Sequence, residues 1–127
     1  MTNKKTVLVI AAHSDDEALG CAGTLSRHVR EGDDVYALFM TDGVSARSND
    51  EDTEERLMAA QTSAKAIGIT QCFFNQFPDN AMDTVALLDI VKAIEKVIHK
   101  INPHIIYTHH SGDLNIDHVR TARAVLT

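Results

Sequence analysis

The chain has 127 residues, 44% of them hydrophobic, which is enough to bury the core of one domain. Its 12 Lys and Arg against 18 Asp and Glu give a formal net charge of −6, and no basic run occurs, so neither nucleic acid nor an anionic membrane is an expected partner. Aromatic content is 5% with no Trp, which argues against base stacking, and no apolar stretch approaches the ~20 residues of a membrane span.

The opening Met1-Thr2-Asn3-Lys4-Lys5 leads straight into a strand and does not read as a signal peptide. That strand, Thr6 to Ala12, carries the continuous β-branched run Val7-Leu8-Val9-Ile10 and reads as fully buried. A helix follows from Glu17 to Arg30, with Ala18, Leu19, Ala22, Leu25 and Val29 on one stripe; Gly32 ends it. The second strand, Val35 to Met40, stops at the turn signal Thr41-Asp42-Gly43. Residues 44 to 52 are polar and read as a loop, with the run Asn49-Asp50-Glu51-Asp52 solvated. A helix is expected over Glu54 to Ile67, capped by Thr53, with Leu57, Ala60, Ala64 and Ile67 inward and Gly68 as its stop. The third strand is Cys72-Phe73-Phe74, followed by the loop Gln76-Phe77-Pro78-Asp79-Asn80. A third helix runs from Thr84 to Lys100, with Leu87, Leu88, Val91, Ile94, Val97, Ile98 and Ile101 apolar and Pro103 past its end. The fourth strand, Ile105-Ile106-Tyr107, leads into the loop Thr108-His109-His110-Ser111-Gly112-Asp113-Leu114-Asn115-Ile116-Asp117-His118. The last helix starts near Asp117 or His118.

Alternating strands and helices imply parallel strands joined by right-handed crossovers. The expected architecture is α/β, a Rossmann-like three-layer αβα sandwich with strand order 3-2-1-4. In that order the chain reverses direction between strands one and four, and ligands bind in the crevice at such a switch point. The loops after these two strands are the ones rich in His and Asp. Ala122 to Thr127 lie inside an apparent helix with no capping Gly or Pro, so residues 1–127 read as a single domain, the N-terminal portion of a longer protein. Cys21 and Cys72 lack metal-site spacing and read as buried thiols of a cytoplasmic protein. His28, His99 and His104 read as structural or solvated.

The loop after strand one, His13-Ser14-Asp15-Asp16-Glu17, places three adjacent carboxylates beside an imidazole. Such charges repel, and any that are buried need a compensating partner, for which a divalent metal serves. His13 and Asp16, three apart, can face one point at a helix start. Imidazole with carboxylate suits zinc, with iron or manganese as other candidates. The alternative is that Ser14, Asp15 and Asp16 only cap the helix and complement its dipole.

Ala12-His13-Ser14-Asp15-Asp16-Glu17 resembles the Ala-His-Pro-Asp-Asp-Glu motif of the PIG-L/LmbE-like zinc-dependent N-deacetylases. Asp117-His118 resembles the end of that family's second motif, His-x-Asp-His. The loops Thr41-Asp42-Gly43 and Phe77-Pro78-Asp79-Asn80 also look like its strand-end loops. Arg56 looks like a family arginine that contacts substrate. The resemblance spans the whole chain. It implies one zinc per chain held by His13, Asp16 and His118, with Asp15 as general base. The implied substrate is an N-acetylated amino sugar or its conjugate, contacted by Arg56, Asp79, Asn80, His110 and Asn115, while Asp117 orients a ligand imidazole. Three protein ligands leave a position open for water, as catalytic zinc requires. Two departures stand out: Ser14 replaces the usual Pro, and Asn115 stands where the second motif has its first His. Asn115 can donate a hydrogen bond but cannot titrate; His110, in the same loop, is a candidate substitute.

Two other readings compete. One is a metal-binding domain of this fold without catalysis. The other is a receiver-like signalling domain, which would need a phosphoacceptor Asp where strand three ends at Asn75. A homo-oligomer paired through strand four is also open.

Overall fold

In a computed structural model, residues 4–13, 16–41, 58–59, 61–62, 64–77, 81–109 and 116–126 are described, the side chains of 16–21 excepted. Four parallel strands form one sheet: β1 (Thr6–Ala11), β2 (Asp34–Thr41), β3 (Gln71–Phe77) and β4 (Ile105–Tyr107). Their order is β3-β2-β1-β4, as the alternation of elements predicts. Helices α1 (Asp16–Arg30), α2 (Leu87–Ile101) and α3 (Ile116–Leu126) accompany them, and residues 64–67 are helical.

The period-2 geometry of a strand divides β1 between the two faces. Leu8 and Ile10 join Leu38 and Met40 of β2 and the α2 residues Ile90, Val91, Ile94 and Val97 in one core. Val7, Val9 and Ala11 join Val35, Ala37 and Phe39 and the α1 residue Leu25 in the other. Both faces are therefore covered, which is why β1 can be apolar at every position: Val7 to Ala12 are 0–3% exposed. This is the three-layer arrangement expected of the sequence.

Two predicted glycine stops are built alike. Gly32 (φ +90°) and Gly68 (φ +98°) both take positive φ. After α1, Gly32 N–H donates to Val29 O and Asp33 N–H to His28 O; before β3, Gly68 N–H donates to Lys65 O and Ile69 N–H to Ala64 O. Each pair of bonds is a Schellman motif. Helix α2 ends differently, on Asn102 in the left-handed region (φ 52°), with Pro103 beyond it.

Two boundaries differ from the sequence reading by three residues, the others by about one. Strand β3 extends to Gln71–Phe77 because polar Asn75 and Gln76 are tolerated on an edge strand. Helix α2 starts at Leu87, not Thr84, because Met82–Thr84 form a separate 3₁₀ turn and Val85 is extended. Leu88 falls off the buried stripe and is 60% exposed. Cys72 is half-buried rather than buried, again because β3 lies at the edge. Of the helix expected over 54–67, Ala64 is buried and Ile67 half-buried, while Leu57 and Ala60 lie outside the described residues. Among the described residues, no helix is long and apolar enough to cross a membrane.

At the amino edge of the sheet, His28 ties three elements together. Its Nδ1–H donates to Asp33 Oδ2 at 2.8 Å and its Nε2 meets the Tyr107 hydroxyl at 2.8 Å. Asp33 Oδ1 accepts Lys5 N–H at 2.9 Å. These bonds, the one from His28 foremost, hold the Asp33 carboxyl below the usual carboxylate range. His104 is structural too: its Nδ1 accepts Thr6 N–H at 3.0 Å. His99 is exposed.

Two predictions follow from this packing. A Cβ on Gly68 would lie 2.8 Å from Val29 Cγ1 at a positive φ, whereas one on Gly23, in α1, would meet nothing within 4 Å. Gly68→Ala should therefore destabilise by about 2 kcal/mol, and Gly23→Ala should stabilise by about 0.5–1 kcal/mol, both read by urea unfolding. A depressed carboxyl contributes stability above its unfolded pKa and loses it as pH falls through the folded one. Asp33→Asn should thus be less stable than the parent at neutral pH, with the gap closing as the pH drops below 3.8, the ordinary value of an Asp carboxyl.

Candidate metal centre

The exit of β1 is pinned from both sides. Ala12 O accepts two hydrogen bonds from Thr41 of β2, one from its N–H and one from its hydroxyl, each at 2.9 Å. Ala12 N–H donates to Nε2 of His109, in the segment after β4, at 2.9 Å. The residue immediately before His13 is therefore fixed by the strands that flank β1, at the carboxyl edge and the switch point.

His13 Nε2 lies 2.9 Å from Asp117 Oδ2. A carboxylate only accepts, so the proton of this bond sits on Nε2 and Nδ1 is left as the lone-pair nitrogen. Nδ1 faces His118 Nε2 at 3.3 Å. Asp117 has no exposed surface; its other oxygen, Oδ1, accepts Met82 N–H at 3.0 Å. The 3₁₀ turn that presents Met82 is itself braced by α3, where Arg120 Nη2–H donates to Val85 O at 2.8 Å.

The donors fit a metal. Two imidazole nitrogens each ~2.0–2.1 Å from one tetrahedral zinc lie roughly 3.3 Å apart, the separation between His13 Nδ1 and His118 Nε2. A carboxylate behind the ligand imidazole is the arrangement that fixes the tautomer and ring of a metal-bound His. Asp117 stands in that place behind His13, at 2.9 Å from its Nε2.

Of the predicted site residues, His13, Asp117 and His118 are brought together. Asp16 opens α1, and its side chain is not among those described. Asp15, Arg56, Asp79, Asn80, His110 and Asn115 lie outside the described residues. One residue was missed. His109 stacks on His118, with ring centroids 3.8 Å apart and planes 5° from parallel. Its signal was its place two residues beyond an edge strand paired with β1. Parity alone could not decide between His109 and His110.

Among the described residues, His28, Glu31 and Asp33 also offer ligand atoms within 4.8 Å of one another. That group sits at the amino edge, and its bonds to Tyr107, Lys5 and Arg27 account for it as structure.

Known proteins resemble this chain in sequence and in fold. The uncharacterized deacetylase YaiS of Escherichia coli is 30% identical over 126 residues, covering 95% of this chain and 66% of that protein. The diacetylchitobiose deacetylase of Thermococcus kodakarensis is 31% identical over 107 residues, 80% of this chain and 39% of that protein. The chain therefore spans between about two fifths and two thirds of the curated relatives it matches. Among solved structures, the N,N'-diacetylchitobiose deacetylase of Pyrococcus horikoshii superposes with a TM-score of 0.85 at 22% identity, over 98% of this chain and 49% of that one. The 4-carboxy-2-hydroxymuconate hydratase of Pseudomonas putida superposes with a TM-score of 0.83 at 21% identity, over 96% of this chain and 54% of that one. At these identities the two structures speak for the fold. A family model described as PIG-L, GlcNAc-PI de-N-acetylase, matches residues 8–127, and the chain belongs to that family.

Proposed function

We propose that this chain carries the catalytic edge of a zinc-dependent hydrolase that removes an acetyl group from an N-acetylated amino sugar or its conjugate. The observation that carries the reading is the buried Asp117 holding His13 so that its Nδ1 and His118 Nε2 converge. The relatives named as deacetylases supply the reaction class, and diacetylchitobiose, the substrate in one relative's name, supplies the sugar.

His13, Asp16 and His118 would hold the ion. Bound zinc supplies a more acidic water and a polarised amide carbonyl. The chain's own residues then do the proton work. Asp15 takes a proton from the attacking water onto its carboxylate as the C–O bond forms. It returns that proton to the amide nitrogen as the C–N bond breaks, leaving a free amine and acetic acid, which gives up its remaining proton to water as acetate. Asp117 keeps accepting from His13 Nε2–H throughout, so the ring does not turn. Arg56, Asp79, Asn80, His110 and Asn115 are assigned to the sugar, with polar groups suited to its hydroxyls. A single acetylated small molecule as partner, a cytoplasmic location and a second copy of the chain as an assembly partner belong to the same reading.

A second reading, a metal-binding domain of the same fold without catalysis, rests on one observation. Asn115 stands where the second motif has a titratable residue. The receiver-like reading has lost its footing. Position 75 is an Asn whose amide contacts Met40 Sδ at 3.8 Å, and the chain's family is a different one.

Protein purified without chelator should carry about one zinc per chain by elemental analysis, and His13→Ala or His118→Ala should lose most of it. Zinc retained at parent level in both variants would overturn the ligand assignment. Asp117→Asn should weaken zinc about 10–100-fold, as measured by competition with a chromophoric chelator. Asp15→Asn should keep the zinc while acetate release from N-acetylglucosamine conjugates falls about 10²–10⁴-fold. Metal-loaded parent that releases no acetate from any such conjugate would favour the second reading.

A further inference from the structure

Strand β4 gives the ladder only three register pairs with β1, the last being Val9 with Tyr107. Beyond it, side chains continue the pairing. Thr108 Oγ1–H donates to Ile10 O at 2.9 Å, and His109 Nε2 accepts Ala12 N–H at 2.9 Å. The same His109 ring lies flat on His118. One imidazole therefore touches the backbone immediately before His13 and the ring of His118.

We propose that His109 is a positioning residue for the metal centre, fixing the ring plane of His118 and the backbone that delivers His13. This rests on the reading of His13 and His118 as ligands. A His side chain has two torsions, and the contacts of His118 limit both. Its Nε2 edge is directed at His13 Nδ1, and one of its faces is covered by a near-parallel ring. His109 can supply that face because its own ring is anchored: the bond from Ala12 N–H needs Nε2 as acceptor, which sets the proton of the neutral ring on Nδ1. Neither contact involves the nitrogens through which His13 and His118 face each other. His109 thus orients the pair without competing for the ion, in the way that groups behind metal ligands tune affinity.

Two partial substitutes separate the contacts. Phe keeps a flat face but accepts nothing, and Gln keeps an acceptor without a ring. Co²⁺ titration followed by visible absorption reads both affinity and ligand geometry. His109→Ala should weaken Co²⁺ about 10–100-fold and shift its bands. His109→Phe should recover most of the parent's bands, and His109→Gln should not. His109→Ala with the parent's affinity and spectrum overturns the proposal, and so does a variant that only melts earlier with the spectrum unchanged. If the parent binds no Co²⁺, the ligand reading itself fails. Positioning is then judged in metal-free protein, where His118 ring-proton resonances must move in His109→Ala; unmoved resonances overturn it.

Discussion

A carboxylate with no exposed surface is tolerable only while its oxygens are hydrogen-bonded, and Asp117 meets that condition by gathering three parts of the chain. One oxygen accepts a hydrogen bond from His13 Nε2–H after β1, and the other accepts one from Met82 N–H in the turn that follows β3. The residue itself sits in the first turn of α3. Remove the carboxylate and these partners lose their common point. The packing of α3 beside the turn, through Arg120 to Val85 and Thr121 Oγ1 near Met82 Sδ, belongs to the same arrangement. Stability and site geometry are thus set by one side chain.

Much of this was legible in the sequence because it depends on local rules. Buried parallel strands announce themselves as continuous apolar runs, and β1 is apolar at every position from Val7 to Ala12. Gly32 and Gly68 mark helix ends because few other residues take their φ without strain. Strand order followed from the alternation of elements, and it placed His13 and His118 at one edge before any coordinate did. What escaped was decided by tertiary context. The polar residues of β3 do not look like a strand, since an edge strand need not be apolar. The expected helix loses its first residues because Thr84 belongs to the 3₁₀ turn Met82–Thr84, which Asp117 holds through Met82 N–H, and Val85 is extended. His109 was indistinguishable from His110 in sequence, since only the pairing of β4 with β1 determines which imidazole reaches Ala12.

Fold and chemistry separate here in an instructive way. A sugar deacetylase and a hydratase superpose on this chain about equally well, so the αβα frame by itself does not choose a reaction. In open α/β sheets the groups that choose it stand on the loops after the strands. The frame contributes rigidity: Ala12, locked by Thr41 on one side and His109 on the other, leaves little freedom in where His13 begins.

The sequence separations across the site also bear on how the protein is made. His13 and Asp117 are 104 positions apart, and His13 and His118 are 105. Strand β1 closes on its β4 neighbour across a similar span, with Thr108 meeting Ile10 over 98 positions. Closing a loop of about 100 residues costs roughly 4 kcal/mol of chain entropy, returned only once β4 and α3 dock. The β1–β2 half of the sheet can form from local contacts while the chain is still emerging from the ribosome. The constellation around Asp117 cannot, since Asp117 and His118 follow His13 by 104 and 105 positions. A ribosome-bound chain therefore has the β1–β2 part of its sheet before it can bring His13, Asp117 and His118 together.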